Sequence, residues 1–350
     1  MVRQDGRARV ATMSDVARRA GVSVSTVSYA MTGTRPIRPA TRERIERAMR
    51  ELGYTPNALA RGLKSKRSKI IAVLYPSAPG ERGLDLSALR YILGASFRAQ
   101  ESGYHLLLWT MEADALSDLA RLAGQGLIDG VLMMAVKLHD DRVKVLTDAG
   151  LPFAMIGRTE NATGIDFVDT DFEQCTRTAV EYLVGLGHRR LGFVDQAPAI
   201  LEAGFGNVVR IRDGAVRAAR EAGAGLSVVG CEDSHAAGRQ AFTEMLRLEP
   251  GLTAVIAFNE QAVPGIMAAA AEHDWRIPED FSVVSIIMTP QAAEMTTPAM
   301  TTVSPSATEM GRAGVDVLIR HLEGADGPVI QQLFTGALQV RGTSGPPRPE

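Results

Sequence analysis

The chain has 350 residues, 45% hydrophobic and 22% charged, with a formal net charge of −2. Those values exclude a wholly disordered chain, a collagen and a coiled coil, and the length asks for two or three domains. No apolar run approaches the roughly 20 residues that span a bilayer. The opening MVRQDGRARV lacks the apolar core of a secretory signal, and Cys175 and Cys231 form neither a CxxC nor a disulfide framework, so a cytoplasmic protein is expected.

The charge is unevenly spread. Residues 1–69 hold 16 Lys/Arg against 5 Asp/Glu, a net of +11, and the rest holds 22 against 35, a net of −13. A basic head on an acidic body points to a head that meets a polyanion.

The head reads as three short helices. Thr12 caps a helix from about Met13, with Asp15 in the first turn where the dipole favours an acid. Val16, Ala17 and Ala20 give it an apolar stripe, and Gly21 supplies a sharp end. Ser23 caps a second helix over 24–31, with Val27 and Met31 on one face. Turn chemistry follows at 32–36. Pro39 then opens a third helix over 39–52, with Ile45, Ala48, Met49 and Leu52 inward and Gly53 at its end. Two helices joined by a glycine-containing turn, with a third behind, make a helix-turn-helix.

The blocks MSDVARRAGVSVSTVSYAMTG and TRERIERAMRELGYTPNALARGL closely resemble the headpiece of the lactose-repressor (LacI/GalR) family of bacterial transcription regulators, in register over about 60 residues. The resemblance implies that Val24, Ser25 and Tyr29 face the major groove and read base edges. Many members carry Arg where Tyr29 stands, so base preference at that point is expected to differ. Thr12, Ser23, Thr26, Ser28, Thr41 and Arg42 are placed for phosphate contacts, which set register rather than sequence. Residues 57–65 match the family's hinge helix, which orders on DNA. There Leu63 is the apolar wedge in the minor groove, with Asn57, Ala58, Ala60 and Arg61 beside it.

Beyond the head, apolar strands alternate with helices. Strands are expected over 70–75, 105–109, 130–135, 153–156, 191–194, 226–229, 254–257 and 282–286. Helices are expected over 86–101, 116–123, 172–186, 214–222, 236–248 and 261–272. Such alternation predicts parallel sheets covered on both faces, and about ten strands fit two doubly wound subdomains better than one. The family resemblance continues through AVEYLVGLGHRRLGFV, AVIAFNEQAV, RIPEDFSVVS, MTTV and EMGRAGVDVLIRHLEG. It implies an all-α headpiece with a hinge helix on an α/β body like that of periplasmic sugar-binding proteins, with a ligand cleft between the subdomains.

The expected organisation is an arm over 1–11, a headpiece over 12–56, hinge and linker over 57–69, a body over 70–340 and a disordered Pro/Gly-rich tail over 341–350. Within the body one subdomain takes 70–165 and 293–326, the other 166–292 and 327–340, so the chain crosses near 164–168, 288–295 and 324–330.

The cleft is where this sequence departs from the family. Ile211 stands where members commonly place an Arg, flanked by Arg210 and Arg212, and Ile287 where sugar binders usually have an Asp. The usual VDN block reads Thr170-Asp171-Phe172, Asn259 is retained, and 79–85 replaces the customary segment after the first strand. Asp171, Phe172, Arg210, Ile211, Asn259 and Ile287 are therefore the candidate effector positions. With two polar groups made apolar, the effector is not expected to be a typical free hexose, whose hydroxyls need partners in a closed cleft.

No GxxxxGK, strand-led GxGxxG, HExxH or GxSxG occurs, and the six histidines show no metal spacing. His188, in LGHRR, reads as a histidine at a helix C-terminus, Trp109 as core and Trp275 as surface. Neither enzyme activity nor a cofactor is expected. The reading is a DNA-binding transcriptional repressor acting as a homodimer on a pseudopalindromic operator, modulated by a small-molecule effector. The alternative is a small-molecule-binding protein without DNA binding.

Overall fold

The computed structural model describes residues 11–32, 35–54, 67–77, 86–112, 115–325 and 327–348. The expected hinge helix, the arm up to residue 10 and the segment 79–85 lie outside the described residues. The chain divides into a unit over Met1–Ser68 and a unit over Lys69–Glu350.

The first unit holds α1 (Met13–Ala20), α2 (Val24–Thr32) and α3 (Pro39–Leu52). The start of α1 is fixed by a capping box: Asp15 N donates to Thr12 Oγ1 at 3.3 Å, and Thr12 N donates to Asp15 Oδ2 at 3.0 Å. It ends at Gly21, whose φ of 65° suits a residue without a Cβ. Val16, Ala17, Ala20, Val27, Ile45 and Ala48 close into one small core.

The second unit contains two six-stranded sheets. The first runs β11-β5-β4-β3-β1-β2 and the second β12-β10-β9-β8-β6-β7. The first comprises β1 (Ile70–Ser77), β2 (His105–Glu112), β3 (Gly130–Met133), β4 (Phe153–Ile156), β5 (Phe167–Thr170) and β11 (Gln331–Phe334). Its faces are covered by α4 (Leu86–Glu101) with α13 (Ala307–Leu322), and by α5 (Leu116–Gly124) with α6 (Asp141–Asp148). The second comprises β6 (Arg190–Gln196), β7 (Gly225–Cys231), β8 (Ala254–Ala257), β9 (Ser282–Ile286), β10 (Thr301–Ser304) and β12 (Ala337–Gln339). On one face lie α7 (Phe172–Gly185) and α9 (Gly206–Glu221), preceded by the short α8 (Pro198–Glu202). On the other lie α10 (His235–Leu248) and α11 (Val263–Glu272), followed by the short α12 (Pro290–Glu294). All strand pairs are parallel except β10–β12. Burial on both faces explains the apolar runs: Ile71, Ala72, Val73 and Leu74 of β1 are all inaccessible.

The crossings between subdomains fall later than the sequence suggests. β5 and β11 still belong to the first sheet and β10 to the second, so the chain crosses after Thr170, after Ser304 and after Phe334. These strands are four residues long and carry Asp169, Thr170, Thr301, Thr302, Gln331 and Gln332, so hydropathy does not mark them.

The tail is not disordered over 341–348. Thr343 is fully buried; its Oγ1 donates to Val283 O at 2.7 Å and accepts from Thr301 N at 2.8 Å. Gly345 N donates to Ser282 Oγ at 3.0 Å, and Arg348 Nε donates to Asp280 Oδ1 at 2.6 Å. Its Pro/Gly content prevents a helix but not an extended path along the sheet. Trp275 is not a surface residue either; it packs in a cluster with Phe242 and Phe281. Trp109 is half-buried against the α5–α6 core.

Candidate DNA-binding face and inter-subdomain cleft

On α2, Ser23 Oγ accepts from Thr26 N at 3.2 Å and lies 2.8 Å from both Ser25 Oγ and Thr26 Oγ1, so the cap also fixes these hydroxyls. Val24 is 44% exposed and Ser25 is exposed, while Tyr29 is half-buried. Ser28 departs from expectation. It is only 7% exposed, where a phosphate contact calls for an open hydroxyl. Thr12 is exposed and Thr26 and Thr41 are half-buried. Arg42 is exposed and donates Nη1 to Ala30 O at 3.3 Å, capping a carbonyl at the end of α2. The guanidinium of Arg35, which the sequence reading did not single out, lies 5.1 Å from the Tyr29 ring centroid. Asn57, Ala60, Arg61 and Leu63 lie outside the described residues.

In the body, a cavity of about 440 Å³ opens beside the crossings after Ser304 and Phe334. Arg90 and Tyr91 of α4, Ile287 at the end of β9, Gln291, Ser304 and Glu309 are among its walls. Ile287 has φ 67°, a left-handed conformation that a β-branched residue adopts only under strain, and its N–H donates to Val303 O at 3.0 Å.

Of the six candidate effector residues, only Ile287 lines this cavity. Ile211 and Phe172 are buried in the core between α7, α9 and the second sheet. Asn259 is buried with both ends of its amide engaged: Nδ2 donates to Cys231 O at 2.9 Å and Oδ1 accepts from Ala262 N at 3.2 Å. Asp171 caps α7, its Oδ1 accepting from Gln174 N at 3.0 Å. Arg210 reaches the other subdomain, donating to Arg158 O at 2.9 Å and Thr159 O at 3.0 Å. The side chain of Arg158 pairs with buried Asp169 at 3.0 Å. Burial, opposed by Arg158 and then by the N–H of Thr170, pushes the Asp169 carboxyl up to about 6. No local pattern marks Arg90, Tyr91, Arg158 or Asp169, since each is brought in by tertiary packing alone.

Among the described residues no group of three or more His, Cys, Asp or Glu could hold a metal ion, and no helix is long and apolar enough to cross a membrane.

Comparison with known proteins agrees with this layout. Residues 180–344 match the periplasmic binding protein-like domain, and residues 12–57 match the bacterial regulatory proteins, lacI family. The chain belongs to the lacI family of bacterial regulatory proteins. As a lacI-family protein it is a DNA-binding transcription regulator and not an enzyme. The ribose operon repressor of Escherichia coli K12 is 28% identical, covering 96% of this chain and 100% of that protein. A transcriptional regulator CelR–cellobiose complex is 27% identical, with a TM-score of 0.69 over 95% of this chain and 99% of that one. The Lac repressor dimer bound to operator and the anti-inducer ONPF shares the fold, with a TM-score of 0.81 and 24% identity over 96% of this chain and 100% of that one.

Proposed function

We propose that this lacI-family regulator is a cytoplasmic repressor that binds a pseudopalindromic operator as a homodimer and responds to a small molecule held between its subdomains. The exposed N-terminal face of α2 carries the reading. Val24 and Ser25 stand clear of the headpiece core in the stretch 1–69, which has a net charge of +11. In this reading Val24, Ser25 and Tyr29 meet base edges, while Thr12, Ser23, Thr26, Thr41 and Arg42 meet phosphates. Asn57, Ala60, Arg61 and Leu63 form the minor-groove hinge, on the strength of the sequence resemblance.

Support for the dimer comes from α4, where Leu89, Leu93 and Phe97 form an exposed apolar stripe at four-residue steps, near exposed Leu107 and Leu108 of the edge strand β2. A two-fold dimer would present two headpieces to two half-sites. The strained Ile287 at the 440 Å³ cavity supports that cavity as the effector site. Ile287 at its wall, where sugar binders of the family usually have an Asp, favours a ligand less polar than a free hexose.

Selection of genomic DNA fragments by the purified full-length protein at two salt concentrations tests the reading. A single pseudopalindromic motif is the expected result. Binding without any motif, with steep salt dependence, would replace the repressor by a non-specific DNA coat.

A further inference from the structure

The loop after β3 and the loop before α9 join the two subdomains where no chain crossing does. Gly206 N donates to Val136 O at 2.9 Å, and Leu138 N donates to Gly204 O at 2.9 Å. Lys137 and Phe205 thereby form an isolated antiparallel bridge, and Lys137 Nζ stands 5.9 Å from the Phe205 ring centroid. One turn further along α9, the Arg210 fork grips the carbonyls of Arg158 and Thr159 in the loop after β4. Four hydrogen bonds and a ring contact thus span the cleft, all from residues 204–210 of one subdomain to residues 136–159 of the other.

Both sides are built to receive this contact. At Gly206 an added Cβ would crowd the Arg210 guanidinium and stand 3.0 Å from Arg158 O and 3.3 Å from Val136 O, so glycine suits the close approach of the helix start. Opposite it, Arg142 is 4% exposed and ties the receiving loop together, donating to Met134 O, Ala135 O and Asp140. Ala135 in that loop is held at φ 46° and packs against the core of the second subdomain. Beneath Arg210, the Arg158 and Asp169 pair holds the second loop.

We propose that residues 204–210, with Arg210 as the fork, form a latch that holds the two subdomains closed by the chain's own contacts. Closure then does not await the effector, and any rotation of the subdomains must first release these bonds. An effector can favour the open form only through a difference in its affinity for the two states.

Residue-resolved hydrogen exchange on the full-length protein, without added ligand, tests the latch through the two amides that cross the cleft. Leu138 and Gly206 are expected to exchange at least about 100-fold more slowly than unstructured amides. Arg210→Ala should speed both about tenfold or more while strand amides such as Val73 and Phe193 are unchanged, with a larger radius of gyration by small-angle scattering. Gly206→Ala provides a second disruption, one that keeps the arginine in the chain and crowds its guanidinium. Exchange of Leu138 and Gly206 at unstructured rates in the unmodified protein would overturn the proposal. So would undiminished protection of Leu138 in both variants.

Discussion

His188 Nε2 lies 2.9 Å from the carbonyl oxygen of Gly345, 157 positions later in the chain. A carbonyl only accepts, so Nε2 carries the hydrogen and Nδ1 accepts from Thr253 Oγ1 at 2.9 Å. The ring is buried, and burial holds its pKa below the usual histidine value. The histidine expected at a helix C-terminus thus also bridges the second sheet and the tail.

Removing 341–350 is therefore expected to destabilise the body. Loss of Thr343 alone leaves Val283 N, Val283 O and Thr301 N without partners in a buried place. At about 1–3 kcal/mol for each buried orphan, the loss should be at least about 3 kcal/mol. Urea unfolding of the truncated chain measures it, and an unchanged midpoint would contradict the packed tail.

The same bridge sets a pH dependence. With its folded pKa depressed, His188 contributes stability that is complete above about 6.5. As pH falls below that value the unfolded chain takes up a proton that the folded chain resists, and the contribution declines. His188→Gln should flatten the unfolding free energy between pH 5 and 7 relative to the parent, followed by denaturant melts across that range. An identical slope in both proteins would exclude the ring as its source.

Arg42 illustrates how far the sequence carried the candidate site. Its place at the start of α3 follows from Pro39 and the apolar spacing of Ile45, Ala48 and Leu52, all local signals. Its bond to Ala30 O is a tertiary fact that spacing does not reveal. Ser28 fails for the opposite reason: a four-residue step from Val24 puts it on the outer face, yet packing buries it. The crossings are not legible because buried polar strands such as Phe167–Thr170 satisfy their side chains by contacts far along the chain, Thr170 Oγ1 on Met310 Sδ among them.

Arg42→Ala is expected to weaken binding to every DNA sequence and to lower the magnitude of the salt slope by about 0.9, the loss of one phosphate contact. Ser28→Ala should leave that slope alone. Fluorescence anisotropy over a salt series separates the two, and an unaltered slope in the Arg42 variant would remove it from the DNA face.

Phe97, 56% exposed on α4, sits at the end of the Leu89–Leu93 stripe. Replacing it by Asp places a charge where apolar surfaces of two copies would meet, and desolvating that charge is costly. Sedimentation velocity should show monomers at concentrations where the parent is a dimer. Operator affinity should fall at least about 100-fold as the two half-sites lose their linkage, with single half-site binding unchanged. A persistent dimer would move the interface elsewhere.

Ile211 and Ile287 both replace polar residues common in the family, but their surroundings separate their consequences. Ile211 is fully enclosed among Phe172, Val208 and Ala215, so Ile211→Arg would bury an unpaired guanidinium and cost about 4 kcal/mol or more. It restores no sugar contact. Ile287 lines the cavity with its backbone at φ 67°. Asp tolerates that conformation, so relief of about 1–3 kcal/mol of strain offsets the lost apolar contact. Ile287→Asp should thus melt within a few degrees of the parent while making the cavity wall anionic. Calorimetric titration with neutral sugars compares the two proteins. Sugar binding gained in Ile287→Asp alone would identify this one position as the barrier to polar ligands. No gain, in a protein that still folds, would mean that other residues of the cavity wall, beginning with Tyr91, set the ligand class.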